Sequence, residues 1–316
     1  MSVPPVSFVA PLRRSVKRSA RMLFRPFDPG RWLTLAFAGF LSYLGTAWIG
    51  GAGFRDAGGF DLDPARSPAE TLRDLFIARP YLLGFLGLAA GIGLVLWVLF
   101  LWIGSRGRFV FLDDVVRERA AVVEPWHRFR RPGNSLFLWR LAFGVGLLVA
   151  LLALLGPPLA LSGLLAAWKG TAPLAVLGFF GWALLASLFA LAIGCTLLVL
   201  DNFVVPLMYR DNLTTTEAWR ALFPLLRAYP VDFLTFAAVV LGLALAVGLT
   251  VLTFGFLTCC VGFALVAVPF VGMVVLLPLW IAYRSYGPEF LAQYGERWSV
   301  FAAVDGAPPP SPDVEY

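Results

Sequence analysis

Residues 233–283 read FLTFAAVVLGLALAVGLTVLTFGFLTCCVGFALVAVPFVGMVVLLPLWIAY, from Phe233 to Tyr283, without one Asp, Glu, Lys, Arg or His. A helix that crosses a bilayer needs about 20 mostly apolar residues. This run is too long for one crossing and right for two. Gly255 and Thr258-Cys259-Cys260 offer the place for a turn, so the run predicts helices over 233–255 and 260–283. Pro269 and Pro278 predict kinks in the second. Membrane helices tolerate such kinks where neighbours satisfy the freed carbonyls.

Working outward, the same criterion finds four more apolar runs. They predict spans over 32–52, 81–103, 135–155 and 174–200, with Pro157-Pro158 breaking or kinking the third near its outer end. The first run begins at Trp32, is long enough to span, and lacks a small-residue cleavage site, so it reads as an uncleaved helix rather than a signal peptide. Composition agrees. Hydrophobic residues make up 59% of the 316 and charged residues 14%, and mean hydropathy is +0.81. A soluble domain carries about 25% charge, so lipid must be the solvent for much of this surface. The three cysteines, Cys195, Cys259 and Cys260, all lie in apolar runs. An odd number so placed argues against a disulfide framework or a zinc site.

Six spans with the N-terminus inside put five basic residues on the outer segments, Arg55, Arg66, Arg73, Arg79 and Lys169, and the other 20 on the inner ones. That bias predicts both termini in the cytoplasm. It also explains the net charge of +6 without a nucleic-acid partner.

A theme recurs before each odd-numbered span. It reads Phe24-Arg25-Pro26-Phe27-Asp28-Pro29-Gly30-Arg31-Trp32, then Arg128-Phe129-Arg130-Arg131-Pro132-Gly133-Asn134-Ser135-Leu136, then Leu226-Arg227-Ala228-Tyr229-Pro230-Val231-Asp232-Phe233-Leu234. The ends of two even-numbered spans match as well, Phe111-Leu112-Asp113-Asp114-Val115-Val116 against Val199-Leu200-Asp201-Asn202-Phe203-Val204. The chain therefore reads as three copies of one unit: a surface helix, a two-span hairpin and an apolar extension. Repeats of this kind put a shared cavity between units. The expected fold class is all-α: a polytopic membrane helix bundle of six transmembrane helices, built as three two-helix hairpins with interfacial amphipathic helices. Residues 1–31 form a cytoplasmic basic amphipathic segment, 32–300 the six-span domain, and 301–316 a disordered cytoplasmic tail with Pro308-Pro309-Pro310.

The surface helices carry local signals. Val16, Ala20, Leu23, Phe24 and Phe27 fall at helical spacing among Arg13, Arg14, Lys17, Arg18 and Arg21, a pattern suited to anionic lipid at the cytoplasmic face. Thr214-Thr215-Thr216-Glu217 has capping-box spacing, followed by the stripe Trp219, Leu222, Leu226 and Tyr229. Ser67-Pro68-Ala69-Glu70 predicts a short outer helix to about Ala78.

Titratable groups that could carry chemistry are few. His127 is the single histidine and reads as an interfacial side chain beside Trp126; without further ligands it builds neither a metal site nor a triad. Asp56, Asp61 and Asp63 lie on a Gly-rich outer loop without calcium-loop spacing. Asp113, Asp114 and Asp201 occupy equivalent repeat positions, able to face a polar cavity or to pair with Arg117 or Arg210. Arg140 lies about one turn into the third span, where snorkelling to the interface accounts for it. These four are the candidate functional polar positions. No catalytic constellation, cofactor motif or metal motif appears, so the expectation is a non-enzyme that needs no cofactor. Gly87-xxx-Gly91 and Ala186-xxx-Ala190-xxx-Gly194 are small-residue seams for close helix packing, inside the bundle or between copies.

Three stretches carry a family resemblance: Arg25 to Trp32, Leu200-Asp201-Asn202-Phe203-Val204-Val205-Pro206-Leu207-Met208, and Tyr283-Arg284-Ser285-Tyr286-Gly287-Pro288-Glu289-Phe290-Leu291. Over residues 8–300 the layout resembles a group of uncharacterised bacterial six-span membrane proteins. It is similar to the membrane domain that accompanies the catalytic domain of some glycerophosphodiester phosphodiesterases. The resemblance implies a multi-pass protein of the bacterial inner (cell) membrane and does not carry the phosphodiesterase chemistry, because His127-Arg128 is followed by Phe129 rather than glycine. Two roles follow as expectations. One is a scaffold or helper that associates with itself or with another membrane protein; the other is a permease-like carrier of a lipid or small amphiphile. A polar cavity at mid-membrane depth, lined by Asp201 or by Thr250 and Thr253, would favour the carrier, and a solid apolar bundle would sink it.

Overall fold

The computed structural model describes residues 6–25, 27–47, 81–167, 172–258 and 261–301. The outer loop with Asp56, Asp61 and Asp63, the helix expected after Ser67, and the tail after Phe301 lie outside the described residues. Among the described residues every regular element is a helix. In chain order they are α1 (Val9–Phe24), α2 (Pro29–Ala47), α3 (Tyr81–Val116), α4 (Val123–Arg128), α5 (Arg130–Ala167) and α6 (Ala172–Val199). A π turn (Leu200–Val204) leads into α7 (Val205–Asp211), then come α8 (Thr215–Ala228), α9 (Pro230–Leu257), α10 (Val261–Ala267), α11 (Pro269–Val275) and α12 (Leu277–Leu291). The order repeats: α1, α4 and α8 each precede a long helix that starts at or near the proline of the recurring theme.

Four described helices are long and apolar enough to cross a membrane: Gly87–Val116, Arg130–Leu154, Phe180–Asp211 and Pro230–Leu257. Only 6–11% of their most apolar windows is buried inside the protein. In water such exposure would be ruinous; in hydrocarbon it is the expected state. Leu88, Ile92, Val95 and Leu99 of α3 and Leu241, Leu245, Leu249 and Leu252 of α9 all face outward. The chain is a multi-pass α-helical membrane protein.

The other two expected spans have different forms. Helix α2 covers 19 residues up to Ala47; the rest of its expected span, 48–52, is not described. The stretch expected to span as one kinked helix over 260–283 is three short helices, with α11 starting at Pro269 and Pro278 in the first turn of α12. Proline lacks the N–H that would continue the preceding helix and its ring clashes one turn back, so each proline restarts the helix instead of bending it. Pro157-Pro158 behaves otherwise, because α5 continues through both to Ala167. The turn expected near residue 258 is present. Helix α9 ends at Leu257, and the Thr258 hydroxyl accepts the N–H of Gly262 at 2.9 Å.

The compact core sits at one end of the bundle, where α3, the π turn, α7 and α12 run on beyond their apolar faces. At 1.5 Å per residue the 36-residue α3 is about 54 Å long, well beyond the ~30 Å hydrocarbon thickness. Its last turns bury Phe109, Leu112 and Val116 against Leu200, Phe203, Val204, Met208 and Phe290. The Phe203 ring meets Phe233 edge-on at 5.1 Å and Phe236 at a tilt at 4.9 Å. The third unit enters this core beside α8, whose capping box is closed by the Thr214 N–H donating to Glu217 at 2.8 Å. That bond holds the Glu217 carboxyl below the usual carboxylate range.

Helix α1 differs from expectation in which side it buries. Ser15, Ser19, Met22 and Leu23 pack inward, while Val16, Phe24 and Phe27 stay exposed. Small serines let the helix approach α12 closely, and the Ser19 hydroxyl donates to the Pro278 carbonyl at 2.7 Å. Arg18 reaches Glu118 at 3.2 Å and Glu289 at 3.5 Å, Arg14 reaches Glu289 at 3.3 Å, and Gln293 bonds Ser7 twice at 2.9 Å. The two ends of the chain are thereby clasped. Leu23 belongs to the protein interior, Val16 borders a cavity described below, and Phe24 and Phe27 are the part free to meet lipid.

Candidate functional site

Where α3 and the π turn meet, the two acidic repeat positions each take a partner from the other unit. Asp113 accepts the Tyr209 hydroxyl at 2.8 Å, and Arg119 and Arg117 pair with it at 2.7 and 3.1 Å. It is fully buried, and its oxygens are spent on these three groups. Asp201 pairs with Arg108 of the first unit. The expected pairing of Asp113 with Arg117 is thus present. Arg210 turns instead to its neighbour Asp211 at 2.6 Å, leaving Asp201 to Arg108. Asp114 is buried as well, accepting the Ala121 N–H at 2.9 Å and shaping the turn after α3. Beside it Arg119 donates to Glu124 at 2.7 Å and holds that carboxyl below the usual range. Asp113 and Asp114 therefore serve this internal network.

Asp201 sits in a cluster to which all three units contribute. Arg108 comes from α3, Asp201 and Asn202 from the π turn, and Tyr283 and Arg284 from α12. The Arg284 guanidinium donates to the Asp201 carbonyl at 3.0 Å and to the Arg108 carbonyl at 3.1 Å. The Asn202 amide donates to the Leu198 carbonyl at 3.0 Å and to the Tyr283 hydroxyl at 2.9 Å. Local sequence explains why these carbonyls are open. A π turn bonds each N–H five residues back, as Val205 does to Leu200. The next residue, Pro206, has no N–H to give Asp201, so the Asp201 carbonyl is left for Arg284. Gly287 lets α12 come this close, because a Cβ there would fall on the Asn202 carbonyl oxygen.

Arg140 is only 7% exposed. It points into the bundle, with its guanidinium 3.4 Å from the Ser105 hydroxyl and within electrostatic range of Arg108 and Asp201. Snorkelling to the interface is therefore not its conformation. Arg108, Asn202, Tyr283 and Arg284 were not singled out from sequence. The legible signal was an arginine running directly into an apolar stretch, Arg108-Phe109-Val110-Phe111-Leu112, and another closing the longest uncharged run.

Arg108, Asp201, Tyr283 and Arg284 form the polar end of a half-open cavity of about 630 Å³. Its long wall is apolar. Val240, Leu243, Ala244 and Val247 line it from one face of α9, at the 3–4 residue spacing of a helix, together with Leu279 and Trp280 of α12 and Leu12 and Val16 of α1. The volume falls within the roughly 300–1,000 Å³ of small-molecule sites. Thr250 and Thr253 do not take part; each hydroxyl donates to a carbonyl of its own helix at 2.8 Å. His127 is exposed and engaged with Arg130 at 2.5 Å. Among the described residues no group of three His, Cys, Asp or Glu is placed to hold a metal.

Fold and site together define a multi-pass α-helical membrane protein with a buried guanidinium–carboxylate cluster at the foot of an apolar cavity. Residues 7–303 match the model of DUF7544, a family of unknown function, and the chain belongs to that family. No curated protein and no solved structure matches it.

Proposed function

We propose that this protein is a permease-like carrier that takes a lipid or small amphiphile into the cavity between α9 and α12. The observation that carries this reading is the joining of a charged end, Arg108–Asp201–Arg284, to an apolar wall within one cavity. A polar headgroup and a hydrocarbon tail need that pairing, and a solid apolar bundle would not offer it. Reconstituted protein should speed the exchange of a fluorescent lysolipid between leaflets, read by surface quenching. Ala244→Trp, which fills the wall without touching a charge, should return the rate to that of protein-free vesicles. Wild-type vesicles no faster than empty ones would refute the carrier.

The carrier is proposed to lie in the cell membrane with six crossings and both termini cytoplasmic. The charge bias supports this, as do the 19 residues of α2 and the 31-residue stretch from α10 to α12 as the two further crossings. Reporter fusions after Ala57 and Gly170 should read outside, and those after Arg119, Asp211 and Gly306 inside. An outside signal at Gly306 would break the six-span count. The likeness to phosphodiesterase-associated membrane domains supports a membrane body of this layout and no hydrolysis.

One observation favours the scaffold reading as a second role. Among the described residues a Cβ built at Gly87, Gly91 or Gly194 meets nothing within 4 Å, so no described helix fills these seams. Small-residue seams permit close helix–helix contact between copies. Gly91→Cys in native membranes should give a disulfide-linked dimer on mild oxidation, whereas Leu99→Cys, lower on the same helix, should not. Equal cross-linking at both positions would mean random collision.

A further inference from the structure

The ligand's headgroup chemistry can be argued from the charges at the foot of the cavity, an inference that rests on the cavity reading above. Buried ions are ordinarily paired or hydrogen-bonded to opposite charge. Arg108, 5% exposed, has Asp201. Arg284, 8% exposed, spends its two terminal nitrogens on carbonyl oxygens, and its Nε is buried without a hydrogen-bond partner. Carbonyl dipoles solvate a guanidinium but do not neutralise it. Two guanidinium groups, those of Arg108 and Arg284, thus stand around one carboxylate.

That carboxylate is also the member turned toward the opening, with 25% of its side chain exposed against 6% for Arg108. It occupies the place an incoming anion would need. Guanidinium groups recognise carboxylate and phosphate through paired N–H donors. The tail direction is set by Val240, Leu243 and Val247 rising from the same floor.

We infer that the cavity selects amphiphiles with an oxyanion headgroup, carboxylate or phosphate, which Arg108 and Arg284 receive in competition with the internal carboxylate of Asp201. The headgroup approaches from the apolar side and shares or displaces the Asp201–Arg108 pair, while the tail lies along α9.

The test is binding to purified protein in a non-ionic detergent, measured by native mass spectrometry with four probes. They are oleoyl lysophosphatidate, oleate, the chain-matched neutral monooleoylglycerol, and inorganic phosphate. Wild type should bind both anionic oleoyl probes about tenfold more tightly than monooleoylglycerol, the ratio expected from one charge-assisted contact. Arg108→Gln should reduce that preference to about twofold or less, and Asp201→Asn should raise affinity for the anions several-fold by removing their competitor. Equal binding of charged and neutral probes, or a preference that survives Arg108→Gln, overturns the inference and leaves the cavity reading standing. Failure of every oleoyl probe to bind wild type removes the cavity reading itself. Inorganic phosphate binding as tightly as lysophosphatidate would mean a site for the free ion and would also overturn the inference. Should Arg108→Gln not fold, as judged by a lost monodisperse elution peak, Asp201→Asn decides alone: anion affinity unchanged or lowered counts against the proposal.

Discussion

Asp201→Ala is expected to lower the stability of the protein by about 3 kcal/mol, with a large fall in the melting temperature of detergent-solubilised protein. Removing one partner of a buried ion pair costs about 3–5 kcal/mol, because the other charge stays behind without compensation. The lower figure applies because a quarter of the Asp201 side chain is exposed. The charge left behind is Arg108, held between Phe109, Val110 and Phe111, all of them buried. Two comparisons make the result specific. Asp211→Ala removes a 2.6 Å pair whose carboxylate is 39% exposed and should change stability by less than about 1 kcal/mol. The double variant Arg108→Met with Asp201→Leu should recover much of the loss, since replacing both ions leaves no orphan. A melting temperature for Asp201→Ala equal to that of Asp211→Ala would show that the pair is not a structural centre.

The second large effect is steric. Gly287→Leu should cost about 3 kcal/mol or more, or abolish the monodisperse species, because the added side chain starts on the backbone oxygen of Asn202. Overpacking a tight contact costs about 1–3 kcal/mol when neighbours can shift. Here the neighbour is backbone within the π turn, and the Asn202 side chain is itself held by the Leu198 carbonyl and the Tyr283 hydroxyl. Gly248→Leu on α9 is the control, since a Cβ there meets nothing within 4 Å. It should leave the elution profile and melting temperature close to wild type. If the two leucines behave alike, close approach of α12 to the π turn is not what the glycine is for.

Local rules carried the fold a long way. The turn at Thr258, the capping box at Thr214 and Glu217, and the apolar lengths of four spans are each set by residues within one or two helical turns. Such features are legible because the competing interactions lie in the same short stretch. The site was legible only in part. The repeat drew attention to Asp201 and Asp113 together, but whether an acid pairs within its own unit or across units depends on packing between helices far apart in sequence. Arg108 and Arg284 were hidden by an ordinary explanation, the inner-side excess of basic residues, which treats every arginine at a helix end alike. The prolines act differently from one another, since α5 is unbroken through Pro157-Pro158 while Pro269 starts a new helix.

The clasp between the chain's two ends carries a consequence for biosynthesis. Ser19 is separated from its acceptor Pro278 by 259 residues, and Ser7 from Gln293 by 286. At about 5–20 residues per second of translation, the N-terminal helix waits on the order of tens of seconds for its partner. During that interval its serine face and the Arg14 and Arg18 side chains have no Glu289 to meet. Until α12 is made, α1 lacks the partner to which Ser19 and Arg14 bond in the folded protein. A truncation that stops translation before residue 289 should leave α1 accessible to protease from the side where it was made, while the full chain shields it. Helix α12 would then act as the latch of assembly and, with Leu279, Trp280 and Tyr283, complete one wall of the cavity in the same step.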